Sequence, residues 1–211
     1  MPSLGGSEEP VGSGPGDRLV GELRFDGGSL ALNLIATVGR RFGTPVERLT
    51  DPGRLDAWLG GVGLRVGPGS ANENDLARVV EFREKLNDVV RSTFVGHTPP
   101  SAALTAINQA AAVPAELGPA PVGVELVLPP GAGLADALTS LAARDAILLL
   151  SGPARLQIAE CAAPDCRMLF VRASERRRAW CSSAHCGNRS RVAAHHARRA
   201  KAPANGDGHD S

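Results

Sequence analysis

Four cysteines, Cys161, Cys166, Cys181 and Cys186, lie within "CAAPDCRMLFVRASERRRAWCSSAHCGNR", and the 211-residue chain has no others. They form two C-x4-C pairs separated by fourteen residues. Four thiolates satisfy tetrahedral Zn2+, and pair spacings of this size belong to structural sites. Two disulfides would need an oxidising compartment. Iron–sulfur clusters favour tighter C-x2-C spacing. A catalytic zinc keeps an open position, which a fourth thiolate would close. His185, His195 and His196 stand nearby as substitute ligands, but a complete set of four sulfurs needs none. The expectation is one structural zinc on the four cysteines. A segment of about forty residues with few large apolar side chains gains most from such a staple.

The same region is strongly basic. From Cys161 to Lys201 there are ten Lys and Arg against Asp165 and Glu175, a net +8 in a chain whose total is +1, which leaves −7 elsewhere. A basic module on an acidic body suggests a polyanionic partner for the module alone. If 189–200 is helical, Arg191, His195, Arg198 and Arg199 share one face. Arg176, Arg177 and Arg178, with Arg189, add cations that can grip phosphates or read guanine edges. Duplex DNA is therefore the expected partner. The competing readings are a solvated basic face, a protein-interaction module facing an acidic surface, and a sensor in which Arg40, Arg41, Arg83 or Arg144 holds a small anionic effector.

Composition narrows the remaining classes. Aromatic residues make up 3% of the chain and Tyr is absent, which disfavours base-stacking recognition of single strands. The first residues lack the basic and apolar regions of an export signal, and "AILLL" is far too short to span a bilayer, so a cytoplasmic protein without membrane contact is expected. No nucleophile–base arrangement surrounds Ser140, Ser151 or His97, and "GGVG" follows a helix rather than a strand, so no enzyme is expected. A homodimer would suit a regulator, although no heptad seam is visible.

The elements that must carry these residues follow from periodicity. Residues 1–17 and 202–211 are rich in Gly, Ser, Pro and polar residues and are expected to be disordered. Residues 18–150 form the body. A short strand at Leu23–Phe25 precedes a helix capped by Ser29 and marked by Leu30, Leu34, Ile35 and Val38. Helices follow after Asp51-Pro52, over "ENDLARVVEFREKLNDVVRSTF", over 101–113 with Leu104 and Ile107 inward, and over 133–150 through Leu134, Leu138, Leu141 and Leu148. A strand lies at 121–128. Residues 151–157 are the linker. In 158–201 a short strand enters the first cysteine pair, "MLFV" and "RAWC" form a hairpin around a polar turn, and the second pair leads into the basic helix. The fold class is α+β: a mainly helical N-terminal domain with a minor β component, then a small module whose order resembles a treble-clef zinc finger.

The C-terminal stretch, with Cys186-Gly187-Asn188-Arg189 after C-x4-C-x14-C-x4-C, closely resembles the CGNR zinc finger. Upstream, "LALNLIATVGRR", "LTDPGRLDAWLGGVGL" and "LARVVEFREKLNDVV" resemble the ABATE domain, described as a stress-induced transcription regulator. The resemblance implies a zinc-containing transcriptional regulator of a bacterial type, with the finger as its DNA-binding part. One departure stands out. The family's "LDFVNT"-like signature carries Asp and Asn where this chain has Asn33 and Ala36, and Thr37 alone remains of that polar set. Asn33 can still brace a helix; a pocket lined by the two polar residues would be altered.

Overall fold

The computed structural model describes residues 22–64, 71–119, 122–127, 130–172 and 178–201. The 1–17 and 202–211 segments therefore lie outside the described residues.

The body is built on helices α1 (Leu30–Ile35), α2 (Pro52–Gly61), α3 (Glu73–Phe94), α4 (Ser101–Ala111) and α5 (Leu134–Ser151). Each start has a physical reason. The Ser29 hydroxyl accepts the Leu32 amide of α1 at 3.2 Å, and Asp51 accepts the Arg54 amide ahead of Pro52. Asn72 and Asp75 form a reciprocal capping box on α3. Asp75 also accepts the Ala135 amide at 3.2 Å, and Asp145 accepts the Ala31 amide at 2.8 Å, so one helix caps another across the core. Trp58, Leu32, Leu34, Leu55, Leu86, Val79, Val90 and Leu138 are the largest side chains sealed inside. Helices α3, α4 and α5 pack on one another, α1 lies against α5 and α3, and α2 lies against α3.

Among the described residues three two-stranded ladders complete the fold, all antiparallel. Strands β1 (Val38–Gly39) and β2 (Val46–Glu47) pair Val38 with Glu47; β3 (Glu116–Pro119) pairs with β4 (Val124–Val127); β5 (Ile158–Glu160) pairs with β6 (Leu169–Val171). A final helix, α6 (Asn188–Lys201), follows a tight turn over Ser183–Gly187.

Several expectations need correction. Leu23–Phe25 pairs with nothing as a strand; its Arg24 is turned towards the C-terminal unit. α1 stops at Ile35, and Val38 enters β1. Leu104 is 38% exposed rather than in the core, and Leu148 is exposed while Leu149 is buried. The buried stripe of α5 keeps Leu138, with Leu134 packed against the core, but is otherwise set largely by small residues, Ala135, Ala142, Ala143 and Ala146, which let neighbouring helices approach closely. "MLFV" pairs with β5 rather than with "RAWC", in which Trp180 and Cys181 make bends.

The 151–157 segment is no loose tether. α5 runs through Ser151 and a 3-10 turn, Pro153–Gln157, leads directly into β5. Ile158 and Leu169 belong to the body's own core, and the Val171 amide donates to the Gly27 carbonyl at 2.8 Å. Gly28, with φ +79°, lies so close to Val171 that an added Cβ would sit 3.2 Å from that side chain.

Candidate metal centre

The first cysteine pair is made by a knuckle between β5 and β6. Cys161 leaves β5 with its amide on the Met168 carbonyl at 2.9 Å, and the Cys166 and Arg167 amides both return to the Ala163 carbonyl. The second pair is shaped by Ser182, whose carbonyl accepts the Gly187 amide at 2.9 Å and whose hydroxyl caps the turn at His185. The Ala162 amide donates to the Ala179 carbonyl at 2.8 Å and brings the two halves together. Trp180 and Phe170 pack around the sulfurs.

All four cysteines are free thiols, with every Sγ within 4.8 Å of the others. Cys166 and Cys181 Sγ lie 3.8 Å apart, Cys181 and Cys186 Sγ 3.6 Å. A tetrahedron of Zn–S bonds near 2.3 Å has S···S edges of about 3.8 Å, so the cluster has the size that zinc requires. Cys161, Cys181 and Cys186 are buried. No histidine belongs to the group.

Charge around the cluster favours thiolates. Arg24 Nη2 donates to Cys181 Sγ at 3.4 Å while its Nε is held by Asp26 at 2.7 Å, and Arg189 Nη2 reaches Cys186 Sγ at 3.8 Å. The crowded thiols compete for protons, so Cys161 and Cys181 are drawn down while Cys166 and Cys186 are pushed up, and the Arg24 guanidinium further favours the Cys181 thiolate. Arg24 comes from the body, so part of the metal's surroundings lies more than a hundred residues upstream. Its replacement in Arg24→Gln is expected to weaken zinc binding about 10–100-fold, read by competition with a chromophoric chelator.

Two family models match the chain. One, described as "Putative stress-induced transcription regulator" and named ABATE, covers residues 28–153. The chain belongs to the ABATE family. The other, the CGNR zinc finger, covers residues 157–199. No curated protein matches the chain. The ABATE body thus precedes a finger whose four cysteines are positioned to bind one metal ion, a single structural zinc. When bound, that zinc supplies a rigid four-sulfur crosslink and leaves no open coordination position for a substrate. Neither family is described as an enzyme.

The candidate nucleic-acid residues separate into three groups. Arg176 and Arg177 lie outside the described residues. Arg178 stacks 4.5 Å over the Phe170 ring and reaches the Asp26 carbonyl, and Arg189 is occupied by Asp165 and Cys186. Arg191, His195, Arg198 and Arg199 are exposed on α6, where every described side chain from residue 191 onward is exposed.

Sequence reasoning missed the seam that docks the finger on the ABATE body. Arg91 of α3 donates to Glu160 at 2.6 Å and to the Arg167 carbonyl at 2.7 Å, and Arg40 pairs with Asp165 at 3.1 Å. The sequence signal for it was Asp165 inside the knuckle, one of two acidic residues in the basic module. Of the arginines offered for an effector, Arg83 is a structural node: its guanidinium binds Glu47 and Glu84 and donates to Thr37 Oγ1. Arg144 donates to the Val113 carbonyl. Asn33 accepts the Gly27 amide at 2.9 Å and so braces the turn ahead of α1.

Proposed function

We propose that this ABATE protein is a cytoplasmic transcriptional regulator that grips duplex DNA through α6, with the zinc fixing the first turn of that helix. The supporting observation is the exposed row of Arg191, His195, Arg198 and Arg199 on a helix whose start is built directly from the cysteine turn. An α-helix with side chains is about 10–12 Å across, and the DNA major groove is about 12 Å wide. From Arg191 to Arg199 the helix rises about 12 Å, enough to follow a phosphate edge over several base pairs.

Arg178 and Arg189 are assigned to holding the finger together rather than to DNA, because their guanidinium groups already have partners. Three exposed arginines, of which Arg191 makes only a 3.5 Å contact to the Ser183 carbonyl, imply an electrostatic interaction in which log K falls with log salt at a slope of about −3 or steeper. Fluorescence anisotropy of the zinc-loaded protein on mixed-sequence duplex, from 50 to 200 mM salt, reads this slope. Binding is expected to disappear after chelation. A flat salt dependence, or equal binding by the zinc-free chain, overturns the proposal and favours a protein partner for α6.

A further inference from the structure

Between body and finger lies a cavity of about 230 Å3, below the roughly 300–1,000 Å3 of drug-sized pockets. Its lining is densely cationic. The body contributes Arg24, Arg40, Arg41, Arg48 and Arg91, the finger Arg167 and Arg189; no Asp or Glu is among the lining residues, and the zinc ligands Cys166 and Cys186 are its potential anions. Ile35, Val38, Met168 and Leu169 give it an apolar wall.

Most of these charges are answered from outside the cavity. Arg24 is met by Asp26, Arg40 and Arg189 share Asp165, Arg41 faces Glu84, and Arg91 and Arg167 share Glu160. The contacts of Arg24 and Arg189 with sulfur also offset the negative charge of a zinc held by four thiolates.

Arg48 is different. It is 5% exposed, and among the described residues it forms no ion pair, because the neighbouring Glu47 is engaged by Arg83. Its Nη1 donates to the Ala36 carbonyl at 3.0 Å, while Nε is buried without a partner. Burial outweighs the attraction of the Cys166 sulfur and lowers the Arg48 pKa; a buried charge without a carboxylate partner is costly, so the cavity beside it calls for an anion. Backbone strain gathers at the same place: Arg40 (φ 52°) and Arg167 (φ 45°) are the two non-glycine residues with positive φ among the described residues, and both line the cavity.

We propose that this cavity binds a small organic anion, a carboxylate or phosphate on a compact apolar body, with its charge neutralised by Arg48. The Ala36 methyl, which also lines the cavity, suits the apolar part of such a ligand. Asn188 and Arg189, the first residues of α6, share the lining with β1, so the anion sits between the ABATE body and the base of the exposed helix.

The test contains no DNA and is therefore independent of the DNA-binding proposal. Zinc-loaded protein is titrated with benzoate, phenyl phosphate and the neutral isostere benzamide, with binding read by calorimetry and by the rise in Tm that ligand linkage requires. Benzoate or phenyl phosphate is expected to bind, and the stronger of the two identifies the charged group. Benzamide is not expected to bind. Arg48→Gln is expected to weaken binding at least about tenfold, and Arg41→Gln, at a less buried position, serves if the first variant does not fold. Binding of neither anion, equal binding of benzamide, or unchanged affinity in the folded variants overturns the proposal.

Discussion

Stripping the zinc, or replacing Cys181 by Ser, is expected to unfold the finger and also to lower the Tm of the ABATE body by at least about 10 °C. The first half follows from the site itself. A structural zinc contributes about 10–16 kcal/mol to a finger of this size, and the finger's separate apolar cluster is small, resting on Phe170, Ala159, Ala163 and the cysteines. The second half follows from the seam. Ile158 and Leu169 lie in the body's core beside residues such as Leu32 and Val90, and their release resembles two large-to-small core substitutions at about 2–5 kcal/mol each. For a chain of this length each kcal/mol moves Tm by roughly 2–4 °C. Differential scanning calorimetry before and after chelation measures the change, with near-ultraviolet dichroism following Trp180. A body transition indifferent to zinc would show that the finger adds nothing to the body's stability.

Arg83→Met is the second large effect. The Arg83 guanidinium is sealed at the junction of α3, β2 and Thr37, which lies between α1 and β1, and makes 2.7–3.0 Å bonds to Glu47, Glu84 and Thr37. Methionine fills much of the volume but removes every donor. The carboxylates remain partly open to water, which softens the loss, so about 2–4 kcal/mol is expected, a fall in Tm of roughly 5–10 °C. The effect depends on pH. Burial would raise Glu47 and Glu84, but Arg83 with backbone amides holds Glu47, and Arg41 with Arg83 second to it holds Glu84, below the ordinary 4.5. Depressed carboxyl groups stabilise the fold above their unfolded value and lose that contribution as pH falls through the folded one. The difference between wild type and variant is therefore full near pH 7 and shrinks below about pH 4. Denaturant titrations at the two pH values measure it.

The zinc ligands, the helices and the exposed basic face were open to sequence reasoning because each is a local pattern. Cysteine spacing fixes the knuckle, Asn72 with Asp75 and Asp51 with Pro52 fix helix starts, and a 3.6-residue repeat fixes the face of α3. What escaped was set by contacts distant in sequence. Arg24 reaches Cys181 across 157 positions and Arg91 reaches Glu160 across 69, and nothing local marks either as a seam residue. Arg83 stands among the candidate effector arginines, and nothing local singles out Arg48. Only the fold reveals that one is paired twice and the other is buried without a carboxylate. The charge asymmetry of the sequence also concealed a division of labour: in the described part of the finger, Arg167, Arg178 and Arg189 hold it together, leaving Arg191, Arg198 and Arg199 exposed on α6.

The central claim is that the zinc-anchored helix meets DNA through those exposed arginines. The most direct measurement compares zinc-loaded wild type with the triple variant Arg191→Ala, Arg198→Ala, Arg199→Ala on a labelled duplex at several salt concentrations. These side chains are exposed on α6, so the variant should retain one zinc per chain and the wild-type Tm. The expected result is binding at least about tenfold weaker at 50 mM salt, with the log–log salt slope reduced by about three. A folded, zinc-loaded variant that binds duplex as tightly as wild type and with the same slope would contradict the claim.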